Sequence, residues 1–364
     1  MKKLDNIHWP LFGVLMILVG VGLINLYSAL HSWGDAPELS LFWHQVGIFL
    51  VSVIPCLLLV VIDYRIWERF WMPFYLLSIF FLVIVLLFGR EVSGHRSWLS
   101  FGFFSFQPSE FAKLALLFVL AKTFSDRPNV WGLSLRYLLK PLFLTLIPFA
   151  LVLGQKDLGS SLFFPLIFIT VALMAKVERK TLLLFLCLLV AGGAAAYRYG
   201  LKPYQKERIR IFLHPEADPQ KSGYHLIQAK IAIGSGQIVG KGFLRGRINK
   251  LKYVPDKHTD FIFSVLAEEW GLIGSGFLLT LYGILLWSGM KIAIRARDTF
   301  GTYLACGITG LFFWHIVINI GGVLGMMPLT GVPLPLMSYG GTASIVFLLG
   351  GSLLMNIHRQ RFMF

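Results

Sequence analysis

Long apolar spans recur along the whole chain and leave few folds open to it. Ten of them lie at about 11–30, 41–62, 70–88, 108–124, 141–154, 159–175, 180–198, 261–288, 301–325 and 331–356. A helix needs about 20 mostly apolar residues to cross the hydrocarbon layer of a membrane. Only helices and closed barrels satisfy their backbone hydrogen bonds inside that layer. The spans therefore predict an all-α membrane protein with about ten transmembrane helices.

Composition supports a single membrane domain. Of the 364 residues, 56% are hydrophobic and only 14% are charged, whereas soluble proteins are about 25% charged. No stretch has the composition of a separate soluble domain, so we expect residues 1–364 to form one polytopic unit. The cysteines Cys56, Cys187 and Cys306 lie inside apolar spans, a placement that argues against disulfides and Cys-ligated metal.

The distribution of Lys and Arg predicts the orientation in the membrane, because these residues concentrate in cytoplasmic segments. The N-terminus, the even-numbered loops and the C-terminus hold most of the Lys and Arg of the short segments, whereas the other short loops hold three. We therefore predict that both termini are cytoplasmic. The loop at 199–260, between spans seven and eight, is then extracytoplasmic, and its many cations are no objection because long loops escape the charge rule.

The loop at 199–260 is the longest polar segment, and long loops in compact proteins are usually functional or disordered. Apolar residues recur at helical spacing over 224–233, which predicts an amphipathic helix at the outer membrane surface. The cations of the loop are Arg208, Arg210, Lys221, Lys230, Lys241, Arg245, Arg247, Lys250, Lys252 and Lys257. They could attract anionic lipid headgroups, or they could bind an anionic substrate such as a lipid-linked phosphate.

One glycine-rich segment looks like a phosphate-binding loop but lacks its key positions. The segment 234–242 reads GSGQIVGKG. Ser235 stands where the first glycine of a P-loop would be, and Gly242 replaces the Ser or Thr that binds Mg²⁺. We predict no nucleotide site here and no nucleic-acid partner. Lys241 is retained as a candidate substrate contact of the basic loop.

Asp260 stands where the long loop meets the eighth span. An aspartate at this position could be a helix N-cap. Among many cations at a membrane surface it could instead be a general base. Glu268 and Glu269 lie about two turns further along the same helix, where a charge inside the membrane is costly unless it is paired.

Other polar residues gather near the predicted outer face. Glu110 and Lys113 are three residues apart at the start of the fourth span, so they can pair on a helix. Either the pair only helps packing, or Lys113 also contacts a bound phosphate. Arg96 lies near the interfacial Trp98 and could hold a headgroup, and Asp157 is at the tip between spans five and six. None of the nine histidines has a metal-binding spacing, so no structural metal is predicted. A divalent cation bridging substrate phosphates remains compatible with the sequence.

A long motif near the C-terminus resembles a known family. The segment 319–343 reads NIGGVLGMMPLTGVPLPLMSYGGTA and resembles the signature of the SEDS family of shape, elongation, division and sporulation proteins. The resemblance extends through RSWL at 96–99, QPSE at 107–110, DLGS at 157–160 and HTDFIF at 258–263. IAIGSG at 231–236 and LAEEWG at 266–271 look like the elongation members rather than the division members.

The resemblance implies a ten-span peptidoglycan glycosyltransferase of cell elongation. Members of the family polymerise lipid II at the outer face of the cytoplasmic membrane, with loss of polyprenyl diphosphate. They work with a class B penicillin-binding transpeptidase and other elongation proteins. Residue by residue, the essential carboxylate of the family falls on Asp260, and its glutamate–lysine pair falls on Glu110 and Lys113.

Such a reaction needs groups that this sequence contains. The departing diphosphate requires fixed cations, and the attacking sugar hydroxyl requires a base, for which Asp260 is the candidate. The candidate cations are Arg96, Lys113, Arg208 and Arg210. Direct displacement inverts the anomeric centre. Because the diphosphate supplies the energy, no nucleotide cofactor is expected.

Two other functions compete with the enzyme. A carrier could move lipid II across the membrane without making a bond, and intramembrane charges would suit it. A carrier should have polar groups throughout the bundle, however, whereas here they gather near one face. A scaffold for the elongation machinery would explain neither the basic loop nor Asp260.

Overall fold

We describe the chain from a computed structural model, which covers residues 7–31, 39–92, 95–101, 104–126, 135–175, 222–250 and 258–362, with isolated positions between 177 and 212. Its helices are α1 (Trp9–Leu30), α2 (Leu39–Val61), α3 (Arg65–Arg69), α4 (Trp71–Phe88), α5 (Pro108–Ser125), α6 (Leu135–Gly154), α7 (Leu158–Ser161), α8 (Phe163–Met174), α9 (Ser222–Ser235), α10 (Arg247–Lys250), α11 (Ile262–Ile294), α12 (Thr299–Val323) and α13 (Gly341–Gln360). Three short strands, β1 (Arg90–Val92), β2 (His95–Phe101) and β3 (Phe104–Phe106), lie between α4 and α5.

The predicted all-α membrane fold is confirmed. In the described part of the chain, seven helices are long and apolar enough to cross a membrane, namely α1, α2, α4, α6, α11, α12 and α13. A shorter apolar segment, Leu158–Met174, coincides with the sixth predicted span. The seventh predicted span, at 180–198, and most of the loop at 199–260 lie outside the described residues.

Helix α5 occupies the centre of the bundle. It packs against α4 and α12, and most of its residues are buried, including Glu110 and Lys113. It is not among the seven described helices that are long and apolar enough to cross a membrane, because those charges and Lys122 lower its hydropathy. The fourth predicted span is therefore a core helix that is surrounded by other helices.

Helix α11 has a kink that a loop fills. Gly271 has φ of +62°, a conformation that only glycine adopts at low cost. The backbone N–H groups of Leu272 and Ile273 donate to the carbonyls of Gln237 and Ile238 at 2.8 and 3.1 Å. The segment after α9 thus satisfies donors that the kink leaves without partners in the helix.

The prediction of a span over 331–356 is wrong at its start. Residues 324–340 form a turn-rich segment without helix, and α13 begins only at Gly341. Pro328, Pro333 and Pro335 explain the difference, because proline cannot donate to a helical ladder and clashes with the preceding turn. The segment 324–340 is folded and partly buried, and it leads the chain back into the bundle end where the β-strands lie.

The three strands were not expected from the sequence. They form two antiparallel pairs in the order β1-β2-β3. Arg90 pairs with Trp98, whereas Glu91 pairs with Arg96, so one step along β1 corresponds to two along β2. Ser97 is therefore the extra residue of a bulge, a feature that re-aims side chains next to functional sites.

The predicted helix over 224–233 is confirmed as α9. Its buried residues recur three apart, at Leu226, Ala229 and Ala232, and this face packs against α11. Because alanine is small, α9 can lie close to the longer helix.

Candidate active site

A cavity of about 840 Å³ opens at the bundle end that carries the β-strands. This volume is typical of small-molecule and cofactor sites. The lining comes from β1 and β2, the starts of α5 and α7, helix α9, the turn before α11, and the segment 324–340. Of the residues predicted from sequence, those that border it are Glu110, Lys113, Asp157 and Asp260.

Asp260 lies in the turn before α11, and backbone contacts on both sides hold that turn. Asn319 on α12 donates its side-chain amide to the carbonyls of Asp260 and Val332, at 3.1 and 2.7 Å. Ser338 donates its hydroxyl to the carbonyl of Thr259 at 2.7 Å. Residues of the 319–343 motif thus position the carboxylate.

The Asp260 carboxylate lies against the segment 324–340. A Cβ on Gly331 would be 3.5 Å from Oδ2 of Asp260, and Gly331 has φ of +71°. Any other residue at this position would be strained by that backbone conformation. The glycine therefore lets the backbone turn beside the aspartate.

Aromatic and imidazole groups stand on the same cavity wall. The backbone N–H of Tyr339 donates a hydrogen bond to the carbonyl of His258 at 2.8 Å, which fixes Tyr339 to the turn before α11. Its hydroxyl lies 3.0 Å from Nδ1 of His44. Burial raises the pKa of Tyr339, so the phenol stays protonated at neutral pH. His44, His258 and Tyr339 all border the cavity.

Glu110 and Lys113 form the predicted pair, with Nζ of Lys113 2.7 Å from Oε1 of Glu110. The ammonium also lies 3.0 Å from Nε2 of His315 and 4.4 Å from the ring centre of Phe163. His315 holds its Nδ1 2.8 Å from the carbonyl of Leu311, so Nδ1 donates and Nε2 accepts from the lysine. The side chains of the pair are 2% and 0% exposed, which places them at the cavity floor.

These contacts bear on the two interpretations of Lys113. An ammonium has three N–H donors, and the three groups around Lys113 match that number. The geometry therefore favours the packing interpretation for the lysine itself. Direct contact with a phosphate would require it to leave one of those groups.

Asp157 caps the short helix α7. Its Oδ1 accepts from the backbone N–H of Ser160 at 2.9 Å, and its Oδ2 is 3.4 Å from the side-chain amide of Gln107. A Cβ on Gly159 would be 2.1 Å from the carbonyl of Thr330. Because Gly159 has no side chain, α7 can approach the segment 324–340 closely. Asp157, at the start of α7, thereby borders the cavity.

The bulge in β2 directs Arg96 away from the cavity. Arg96 pairs with Glu91 at 3.6 Å, with both side chains about half exposed. Of the two arginines of this hairpin, Arg90 borders the cavity, and so does Trp98, with which Arg90 pairs. The structure thus brings a neighbouring arginine to the position that the sequence analysis assigned to Arg96.

The basic loop contributes less to the described cavity than the sequence suggested. Lys241 lies 2.7 Å from Oε1 of Glu268, which is fully buried, and Ile248 donates its N–H to the same oxygen. Lys241 therefore neutralises the glutamate, as a charge inside the membrane requires. Arg210 is exposed. Arg208 lies outside the described residues.

Sequence reasoning missed Arg90, His44 and Tyr339 as cavity residues. Tyr339 lies within the 319–343 motif and could have been found there. Arg90 and His44 could not, because the bulge and the packing of α2 against α13 decide where they point. Within the described residues, no group of three or more His, Cys, Asp or Glu side chains is arranged to hold a metal ion.

Comparison with known proteins places this site in a family. A sequence profile of the FtsW, RodA and SpoVE cell cycle proteins matches residues 8–362. The chain belongs to this family. The SEDS resemblance of the 319–343 motif is thereby confirmed.

Two relatives match nearly the whole length of this chain. The peptidoglycan glycosyltransferase MrdB of Escherichia coli K12 is 39% identical over 359 residues, which are 98% of this chain and 95% of MrdB. The stage V sporulation protein E of Bacillus subtilis is 34% identical over 352 residues, 95% of each chain.

Solved structures share the fold. A chain from a peptidoglycan synthase complex, studied for its coordination of polymerization and crosslinking, has a TM-score of 0.84 at 34% identity and covers 99% of this chain and 100% of its own. The rod shape determining protein RodA of Thermus thermophilus has a TM-score of 0.74 at 30% identity, with 100% of both chains covered. The predicted all-helical SEDS fold agrees with both.

Proposed function

We propose that this protein is a peptidoglycan glycosyltransferase of cell elongation that polymerises lipid II. The observation that carries the proposal is the cavity, where four segments far apart in sequence bring Glu110, Asp157, Asp260 and Tyr339 together. The name of the MrdB relative, a peptidoglycan glycosyltransferase, supports the activity. The cavity offers a carboxylate, hydroxyls and imidazoles, which suit a sugar substrate.

In the proposed reaction, a hydroxyl oxygen of the acceptor sugar attacks the anomeric carbon of the donor. The bond between that carbon and the diphosphate oxygen breaks, and the diphosphate leaves with the electron pair. Asp260 takes the proton from the hydroxyl, a role worth about 10²–10⁴-fold in rate. A single displacement of this kind inverts the anomeric centre.

Asp260 suits this role because its backbone is fixed while its carboxylate borders the cavity. The bonds from Asn319 and Ser338 hold the turn on both sides. A positioned base needs no reorganisation when the substrate arrives. We assign no bound cofactor to the reaction, and a divalent cation, where present, would be held by the substrate phosphates.

The protein is a multi-pass membrane protein, and we propose that it lies in the cytoplasmic membrane with both termini inside. The predicted orientation places the cavity at the outer face. The synthase complex that contains the related chain supports a class B penicillin-binding transpeptidase as partner. Such a partner would cross-link the glycan strands that this enzyme makes.

Purified protein incubated with labelled lipid II, with and without the partner, tests the activity. We expect glycan strands and released polyprenyl diphosphate. Movement of lipid II between leaflets of vesicles, without any bond formation even with the partner present, would instead establish the carrier function. Digestion of the product with a muramidase is the control that identifies glycan.

A further inference from the structure

A second cavity of about 510 Å³ adjoins the active-site cavity. The two share Arg90, Trp98 and Ser100, which border both. The remaining walls of the second cavity are Phe81, Ile84 and Phe88 on α4 and Leu99 on β2. We call this second cavity the side groove. The hairpin residues Arg90 and Trp98, which pair across β1 and β2, thus separate a polar chamber from an apolar one.

The side groove faces the surface that hydrocarbon covers in a membrane protein. Phe81, Ile84 and Phe88 lie on one face of α4, at spacings of three and four residues. Phe88 is 79% exposed and its neighbour Leu87 is 63% exposed. Among the residues that the structure describes, the three shared ones are the polar lining of the groove. An occupant must therefore be apolar where it touches α4 and polar where it reaches Arg90.

Arg90 is the cation at the junction. It is exposed, and no ion pair to it occurs among the described residues, whereas Arg96 on the facing strand pairs with Glu91. A guanidinium binds phosphate through two parallel N–H bonds. The order along this surface is then apolar groove, phosphate-binding cation and polar cavity.

We propose that the side groove holds the first isoprene units of the donor polyprenyl chain and that Arg90 binds its diphosphate. The proposal rests on the proposed function, and it names the entry side of the lipid substrate. A polyprenyl diphosphate sugar has the same order of apolar, anionic and polar parts. When the bond to the sugar breaks, the diphosphate gains negative charge, so Arg90 stabilises the leaving group as well as the bound donor.

Replacing either of two arginines of one hairpin tests whether the charge at the junction binds the diphosphate. Arg90→Gln and Arg96→Gln remove the same charge, but only Arg90 borders the cavities. We expect Arg90→Gln to lower kcat/KM for lipid II by about 10–100-fold, the range for a lost charged contact, and Arg96→Gln to change it less than about twofold. Arg90→Lys should recover part of the loss. Equal effects of the two Gln variants, or none from Arg90→Gln, would overturn the proposal.

Binding of the free product provides a readout that does not depend on turnover. Radiolabelled polyprenyl diphosphate should bind Arg90→Gln about tenfold more weakly than the wild type, and an excess of phosphatidylglycerol should not displace it. Displacement by the phospholipid would identify the groove as a general lipid site and refute the proposal. Monodisperse elution in detergent confirms that each variant is folded.

The groove itself is tested with neighbouring positions on α4. Ile84→Trp fills the side groove. Val83 is 37% exposed and lies on an adjacent face of α4, so Val83→Trp places the same ring outside the groove. We expect Ile84→Trp to raise KM for long-chain lipid II about tenfold while leaving KM for a short-chain analogue within about twofold. Equal KM changes for both substrates would show that the tail does not use the groove. If the wild type polymerises lipid II in the same assay, the proposed function holds even when the groove does not bind the tail.

Discussion

At the scale of single residues, Asp260 decides the chemistry. We expect Asp260→Asn to keep the fold, because asparagine has nearly the same shape and the N-cap of α11 is Phe261, and to lower polymerisation by about 10²–10⁴-fold. The assay is glycan formation from labelled lipid II. Asp126→Asn is the control, since Asp126 pairs with Lys122 at the end of α5 and does not border the cavity. Near-normal rates from Asp260→Asn would exclude Asp260 as the general base.

The pair at the cavity floor gives a second residue-scale prediction. Lys113→Met alone leaves the buried Glu110 charge unpaired, which costs about 3–5 kcal/mol, so we expect a lower Tm. Combining it with Glu110→Gln should restore stability, because neutral residues of similar size often replace a buried pair.

The same double variant tests function. We expect it to be folded but nearly inactive, because Glu110→Gln removes a buried carboxylate that borders the cavity, whereas the contacts of Lys113 favour a packing role for the lysine. Thermal unfolding in detergent and polymerisation are measured on the same preparation. A double variant with full polymerase activity would reduce Glu110 and Lys113 to packing residues.

At the scale of elements, the loop that follows α9 holds the kink of α11. Gly240 has φ of +86°, and a Cβ there would be 2.2 Å from the carbonyl oxygen of Glu269. Gly240→Ala should therefore displace the loop and destabilise the protein by at least about 1–3 kcal/mol. Activity should fall as well, because α9 lines the cavity with His225 and Leu226.

The matched control for that change is Gly234→Ala. Gly234 lies on α9 with no atom within 4 Å of an added Cβ, so alanine should be neutral or stabilise the helix by about 0.5–1 kcal/mol. Both variants are compared by Tm and by polymerisation rate. Equal stability of the two would mean that the loop does not need the glycine at position 240.

The elements also show what a sequence can and cannot predict. Apolar length located the described membrane helices, although the start of α6 and the end of α11 lie about six residues from the predicted positions. The end of the long loop and the HTDFIF segment at 258–263 located Asp260. The start of α13 was missed because apolar composition hides Pro333 and Pro335. The choice between Arg90 and Arg96 depends on one extra residue, Ser97, in β2, and strand register is set by pairing that no local pattern reveals.

At the scale of the whole molecule, the orientation is open to a labelling test. In a background without Cys56, Cys187 and Cys306, we expect Val239→Cys to react with an impermeant thiol reagent added outside cells, since Val239 is 73% exposed. Arg295→Cys, at the other end of α11, should react only after the membrane is opened. The reverse pattern would overturn the topology and the external site with it.

The central position of α5 has a consequence for how the chain is assembled. A charged side chain within a membrane helix is costly unless it is paired, and α5 carries Glu110 and Lys113 near its start. Their contact at 2.7 Å lies within one helix, so it can form as soon as α5 leaves the ribosome. The contact with His315 comes from a residue 202 positions later. The ion pair within α5 can therefore form before α12 exists, whereas the complete set of contacts around Lys113 forms only after α12 has been synthesised.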